Sequence, residues 1–144
     1  MKVLRGLACL LVISSTVVAT RPVLADDQDV IDYRRHIMKT MGEQVAIIGM
    51  ILEKKAPAEA LATHADVLAI TAKTAKAAFE SEIQGGDAKP EVWGKWADFS
   101  KRMDALVAAA DDLAKSSKQG AAAAGPKVKL LNCKNCHDTY RVAK

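Results

Sequence analysis

The sequence predicts an all-α protein folded as an antiparallel up-down-up-down four-helix bundle. Apolar residues recur at spacings of three and four along four long segments, which is the pattern of amphipathic helices. Glycine and proline separate these segments, and few stretches show the alternation typical of a half-buried strand. Because short connections place consecutive helices antiparallel, four such helices are expected to close into a bundle.

The first two helices are predicted over residues 28–54 and 58–84. Pro57 separates them, because proline cannot continue a helix and also restricts the residue before it. Gly85 and Gly86 are expected to stop the second helix, whose many small alanines would let a neighbouring helix approach closely. The apolar stripe of the first helix consists of Met38, Met41, Val45, Ile48 and Leu52.

The third helix is predicted over about 90–118 and the fourth over about 127–143. Pro90 suits the opening of the third helix, whereas Gly125-Pro126 should kink or restart any helix at that point. We interpret the aromatic residues of the third helix as core. Four residues of the fourth helix share one face at spacings of three, four and three: Leu130, Cys133, His137 and Tyr140.

Residues 1–25 have the pattern of a cleaved secretory signal peptide. Lys2 and Arg5 form a positive start, and the following apolar run is too short for a stable membrane span. Cleavage after Ala25 would make Asp26 the first residue of a mature domain over 26–144. The expected location is therefore the periplasm. A lipoprotein with its lipid on Cys9 is a weaker alternative.

Cleavage would also change the charge of the chain. The sequence has 21 basic and 17 acidic residues, and residues 1–25 hold three of the basic ones and no acid. The mature domain would have 18 basic and 17 acidic residues, a net charge of +1. This near balance argues against a nucleic-acid-binding function.

Residues 133–137 form a C-x-x-C-H sequence, which is typical of c-type haem attachment. Each thiol would add to one vinyl group of the haem, so both thiols must lie on one side of the backbone. Cys133 and Cys136 are three residues apart and therefore neighbours on one face of a helix. His137 lies one turn after Cys133, where its imidazole can reach the iron as the proximal ligand. The predicted cofactor is one covalently bound haem c.

Two other uses of histidine are less favourable. A zinc site would need further Cys or His ligands near the motif, and the remaining histidines, His36 and His64, are distant and unpaired in sequence. His36 lies about 200° around the first helix from Met38, so we interpret it as a solvated side chain. His64 is interpreted as a rim or surface residue of the second helix.

Three stretches resemble the class II cytochromes c, the cytochrome c′ family. They are the C-terminal motif with its continuation to Arg141, residues 85–93 between the second and third helices, and residues 33–41 on the first helix. Together they span nearly the whole mature domain. The resemblance implies a four-helix bundle that carries haem on its last helix.

The resemblance also implies roles for individual residues. In the low-spin branch of the family, a methionine five positions after the tyrosine of the first helix is the sixth iron ligand, and five positions after Tyr33 is Met38. Arg34 matches an arginine near the haem propionates, Phe79 a distal aromatic contact, and Arg141 a basic residue beside the proximal histidine. From the residues alone, ligation by Met41 or by no protein group remains open.

The resulting expectation is a soluble electron carrier with His137 and Met38 as axial ligands. It would not be an enzyme, would meet periplasmic redox proteins transiently, would not span the membrane, and would be a monomer or homodimer. The alternative is a five-coordinate cytochrome c′ that binds nitric oxide or carbon monoxide. A peroxidase is disfavoured, because no histidine or carboxylate lies one turn from Met38 on the inward face.

Overall fold

The computed structural model describes residues 26–143 and is all-helical over that range, which confirms the predicted fold class. The described chain contains six α-helices and three single turns of 3₁₀ helix, and only isolated bridges occur in place of strands. The predicted signal peptide and Cys9 lie outside the described residues. Among residues 26–143, no helix combines the length and apolar character needed to cross a membrane.

Helix α1 spans Asp27–Leu52. Asp26 caps it: its side chain accepts a hydrogen bond from the Asp29 amide (2.8 Å), and the Asp29 carboxylate accepts one from the Asp26 amide (3.2 Å). The acidic first turn also suits the positive end of the helix dipole. A left-handed backbone at Lys54 (φ 61°) follows the last turn, so α1 ends slightly before the predicted residue 54.

Helix α2 spans Leu61–Ala75, with 3₁₀ turns at Ala58–Ala60 and Ala77–Phe79. It is shorter than the predicted 58–84. After its last turn, backbone carbonyls accept hydrogen bonds from the buried Arg34 of α1 and not from helical amides. These carbonyls belong to Ala78, Ser81 and Ile83. The chain then crosses to the next helix through Gly85 and Gly86, both of which have positive φ.

The third bundle helix is broken into α3 (Glu91–Gly94) and α4 (Trp96–Ser117) by a non-helical Lys95. The fourth consists of α5 (Ala121–Val128), a 3₁₀ turn and α6 (Cys133–Tyr140). The helix does not restart at Gly125-Pro126, because α5 begins at Ala121 and continues through Pro126; the predicted kink at this point stays a prediction. Alanines 121–124 are strong helix formers. Pro126 has no N–H to donate to the Ala122 carbonyl, but Ala122 is solvent-exposed.

The core lies between α1, α2 and α4. Helix α2 packs against both α1 and α4, and α5 packs against α4 and α1. Helix α6 packs mainly against α3 and α4, and α1 is not among its main neighbours. The largest side chains with almost no solvent exposure are Ile48, Leu68, Val92, Met103 and Leu113.

Candidate functional site

The C-x-x-C-H motif begins a helix of its own. Asn132, directly before it, has a left-handed backbone (φ 50°, ψ 34°) that separates α6 from the 3₁₀ turn at Lys129–Leu131. Asparagine tolerates this conformation better than most residues, because its short polar side chain can bond locally. The predicted continuous fourth helix is therefore interrupted, and Cys133 becomes the first residue of α6.

The residues expected to hold a cofactor share one face of α6. At about 100° per residue, their side chains fall within an arc of about 100°: Cys133, Cys136, His137 and Tyr140. Both thiols are free; that of Cys133 is exposed, and that of Cys136 packs against the core. Burial is the main cause that raises the pKa of each thiol. Two free, neutral thiols on one face fit the two thioether bonds of a haem c.

A zinc centre finds no support in the described residues. Between residues 26 and 143, no group of three or more histidine, cysteine and acidic side chains is placed to hold a metal ion. His36 is exposed, as expected. A ring nitrogen of His64 lies 2.8 Å from the Gln44 side-chain oxygen, so His64 links α2 to α1 at the rim of the bundle.

His137 is half-buried and suited to bind a metal through a neutral imidazole. Burial is the main cause that lowers the pKa of His137, the positive charge of Arg141 lowers it further, and Asp138 opposes both. The side chain lies in an open cleft of about 220 Å³, which Lys89, Arg141 and the last described residues also line. Arg141 thus lies beside His137, and the cofactor-binding role that the resemblance implies for it stays a prediction.

The end of α6 is tied to the connection between α2 and α3. The Lys89 amide donates to the Tyr140 carbonyl, and the Val142 amide donates to the Asp87 carbonyl, both at 2.9 Å. Ala88 and Arg141 form an isolated antiparallel bridge between these two bonds. These contacts, which we call the C-terminal clasp, hold the motif against residues 87–89.

A second set of contacts joins α6 to α4. The Asp98 carboxylate accepts hydrogen bonds from the Tyr140 hydroxyl (2.5 Å) and from Nε of Arg102 (2.7 Å). Arg102 Nη1 also donates to the side-chain oxygen of Asn135 (3.1 Å), which lies between the two cysteines. The buried ring of Tyr140 meets Phe99 edge-on, with centroids 5.2 Å apart. This network is not predicted by the sequence, although the four-residue spacing of Asp98 and Arg102 is typical of an ion pair within one helix.

Comparison with known proteins identifies the family. The sequence model described as cytochrome c′ matches residues 29–141. The cytochrome c′ of Alcaligenes xylosoxydans xylosoxydans is 32% identical over 130 residues, covering 83% of this chain and 98% of that protein. The cytochrome c′ of Rhodopseudomonas palustris is 33% identical over 122 residues, covering 81% and 84%. This chain belongs to the cytochrome c′ family.

Solved structures support the same assignment. A leucine-to-alanine variant of Alcaligenes xylosoxidans cytochrome c′, in its nitric oxide complex, is 26% identical and superimposes with a TM-score of 0.77 over 84% of this chain and 99% of its own. A leucine-to-glycine variant with carbon monoxide bound is 25% identical, with a TM-score of 0.77 over 83% and 98%. The predicted membership in the cytochrome c′ family is confirmed, and with it the predicted cofactor, because this family carries one covalently attached haem c.

Arg34 of this cytochrome c′ is a buried link between α1 and the segment after α2. Its Nε donates to the Ala78 carbonyl (2.7 Å), its Nη2 to the Ser81 carbonyl (2.6 Å) and its Nη1 to the Ile83 carbonyl. Only 4% of the residue is exposed. Three of the five guanidinium N–H groups are therefore committed to backbone, and the predicted propionate contact, which would use the remaining two, stays a prediction.

Phe79 lies at the centre of an aromatic group that reaches the motif. The Arg34 guanidinium lies 5.2 Å from the Phe79 ring centroid and 5.0 Å from that of Trp93, whose Nε1 donates to the Phe79 carbonyl (2.9 Å). On the side of α4, the Phe79 and Phe99 centroids are 5.1 Å apart. Phe79 is thus a core residue between α1 and α4, and its predicted contact with haem stays a prediction.

The two candidate methionine ligands differ in burial. Met41 is 7% exposed and belongs to the core, as does Ile37. Met38 is only partly buried and packs at the edge of that core. Both lie on the inward face of α1, so the structure leaves the predicted Met38 ligation as a prediction, with Met38 the less constrained of the two.

Proposed function

We propose that Cys133 and Cys136 attach the haem c of this protein and that His137 is its axial ligand. Support comes from two free thiols and a half-buried imidazole within one arc of α6. The lowered pKa of His137 keeps a nitrogen lone pair available for a metal. When bound, the haem supplies an iron at which a diatomic gas or an electron can be held.

The function that we propose first is binding of nitric oxide or carbon monoxide on the face opposite His137. The observation that carries this proposal is the similarity, over more than four fifths of the chain, to cytochromes c′ solved with these gases bound. The family resemblance puts Met38 of α1 on that face, and Met41 lies one turn further along the same helix. Their uncharged side chains exclude water and provide no acid or base, which suits a neutral gas and disfavours peroxidase chemistry.

Electron transfer is the second candidate, and Met38 is the observation that favours it. Its unbranched side chain is only partly held by the core, so its sulfur is free to turn toward a cofactor. A thioether on the sixth position would fill the site that a gas needs and would raise the reduction potential relative to a second histidine. Redox proteins would then meet the haem edge transiently through a small interface.

One set of spectra distinguishes these two candidates. The ferric and ferrous holoprotein is examined by visible, near-infrared and electron paramagnetic resonance spectroscopy, with and without carbon monoxide. A high-spin spectrum and ready carbon monoxide binding support gas binding. A low-spin spectrum with a sulfur-to-iron band that is lost in Met38→Leu, but kept in the matched control Met41→Leu, supports electron transfer instead. Loss of the band only in Met41→Leu would move the ligand one turn along α1.

We also propose that residues 1–25 are a secretory signal, that the mature protein starts at Asp26, and that it functions in the periplasm without being an enzyme. In such a protein the α-ammonium group of Asp26 would donate to the Asp29 carboxylate, as the Asp26 amide does in the structure. Intact mass measurement of the exported protein tests this proposal. A lipid on Cys9 or a retained Met1 contradicts it.

A further inference from the structure

Arg102 is the residue through which α4 contacts both ends of α6. Near the start of α6, its Nη1 donates to the side-chain oxygen of Asn135 (3.1 Å) and approaches the Asn135 carbonyl (3.5 Å). Near the end of α6, its guanidinium lies 5.5 Å from the centroid of the Tyr140 ring. One side chain thus touches both the middle of the C-x-x-C segment and the residue one turn after His137.

Asp98 fixes the position of Arg102. Its Oδ2 accepts from Nε of Arg102 at 2.7 Å and from the Tyr140 hydroxyl at 2.5 Å, and these two bonds lower the pKa of the Asp98 carboxyl. The carboxylate is therefore ionised and holds both donors. Asp98 and Arg102 are four residues apart and therefore neighbours on one face of the long helix α4. This face contacts α6, which has only eight residues.

Other contacts also hold α6: Cys136 and the buried Tyr140 ring pack against the core, and the C-terminal clasp holds the residues after His137. The first turn of α6 follows the left-handed break at Asn132, and there Arg102 holds the Asn135 side chain. A short helix is marginally stable on its own, so its orientation depends on side-chain contacts with neighbours. A small rotation of α6 would turn both thiols and the imidazole together, because all three lie on one arc.

We infer that Arg102, held by Asp98, is a positioning residue that sets the orientation of the haem-attachment helix and hence of His137 toward the iron. This inference rests on the proposed role of His137. Because Arg102 bonds to Asn135, which lies between the two cysteines, it also places a positive charge beside the attachment point, which favours the ferrous over the ferric state of a bound haem.

The test compares Arg102→Gln with Lys101→Gln in the holoprotein. Lys101 is the exposed neighbour on α4, so both variants lose one positive charge, but only the first loses the contacts to α6. We expect Arg102→Gln to lower the reduction potential and to broaden the electron paramagnetic resonance lines of the haem, because His137 then adopts several orientations. Lys101→Gln should change both measurements much less, and Arg102→Lys should restore part of the potential.

Three further outcomes decide the inference. Equal shifts in Arg102→Gln and Lys101→Gln would reveal a charge effect alone and would overturn it, as would an Arg102→Gln protein identical to the unmodified one. If Arg102→Gln fails to fold, Asn135→Ala at an exposed position removes the side-chain acceptor of Arg102 Nη1 and should broaden the same lines; unchanged lines would overturn the inference. Absence of covalent haem from the unmodified protein would instead contradict the proposed function itself.

Discussion

Gly86 is the position where the structure makes the sharpest prediction about stability. Its backbone is left-handed (φ 62°), and a Cβ added there would lie 2.7 Å from Cγ2 of Ile31 on α1. An L-residue in this conformation costs about 1–2 kcal/mol, and the overlap of the added methyl group with the half-buried Ile31 costs about 1–3 kcal/mol. We therefore expect Gly86→Ala to lower the free energy of unfolding by about 2–5 kcal/mol.

Gly42 provides the matched control. It lies within α1, and no atom comes within 4 Å of a Cβ added there. Because alanine is the better helix former, Gly42→Ala should raise the free energy of unfolding by about 0.5–1 kcal/mol. Urea unfolding of the holoproteins, followed by circular dichroism, measures both changes. The two substitutions should have opposite signs.

A double-mutant cycle separates the two causes at Gly86. In an Ile31→Ala background the overlap disappears, so Gly86→Ala should cost only the conformational part, about 1–2 kcal/mol. If Gly86→Ala matches Gly42→Ala in the unmodified background, the left-handed turn is wrong. If the cycle shows no coupling, the close approach to Ile31 is wrong.

Three further predictions concern the cofactor and the polar core. Replacing both Cys133 and Cys136 by alanine should leave no haem on the polypeptide after acid–acetone extraction; retained haem would contradict the attachment site. Arg34→Met should lower the free energy of unfolding by about 2–6 kcal/mol, because it leaves the buried Ala78 carbonyl without its donor, at about 1–3 kcal/mol, and removes two part-buried hydrogen bonds, at about 0.5–1.5 kcal/mol each. Its neighbour Arg35, in an exposed ion pair with Asp32, should lose only about 0–1 kcal/mol on the same change; similar losses for both would refute the buried role. Burial and the bond to Asp98 raise the pKa of Tyr140 to about 12, above its ordinary value near 10. The folded state therefore holds this proton more tightly, and stability should fall as the pH rises from about 10 to 12. Tyr140→Phe should show a smaller fall over this range in pH-dependent urea titrations, and an unchanged fall would contradict the bond.

The fold could be predicted because its causes are local and repeated. Spacings of three and four identify the helices, and the C-x-x-C-H motif predicts an attachment face without any knowledge of packing. The breaks at Lys95 and Asn132 could not be predicted, because neither residue carries a strong helix-stopping signal and tertiary contacts decide their conformations. Pro126 is the opposite case. Proline is a strong helix-stopping signal, but α5 continues through it after four alanines that favour a helix.

The polar part of the site depends on contacts between residues distant in sequence. Arg34 donates to backbone carbonyls more than forty residues away. Every residue has a carbonyl, so residue types do not reveal which carbonyl will accept the hydrogen bond. Family resemblance gave Arg34 a role toward the cofactor, whereas the structure shows a tie between α1 and the chain after α2. Asp98 and Arg102 were visible as a helical ion pair, but their contacts with Asn135 and Tyr140 arise only from the packing of α6.

The C-terminal clasp also constrains the order in which the chain can fold. Its bonds join residues about fifty positions apart, so the entropy of closing a long loop must be overcome before they form. The α1–α2 contacts need far shorter loops and can therefore form earlier in folding. The clasp closes only when residues 140–142 reach residues 87–89. Until then the two thiols stand on an eight-residue segment that is marginally stable as a helix on its own, and their positions are not fixed relative to the bundle.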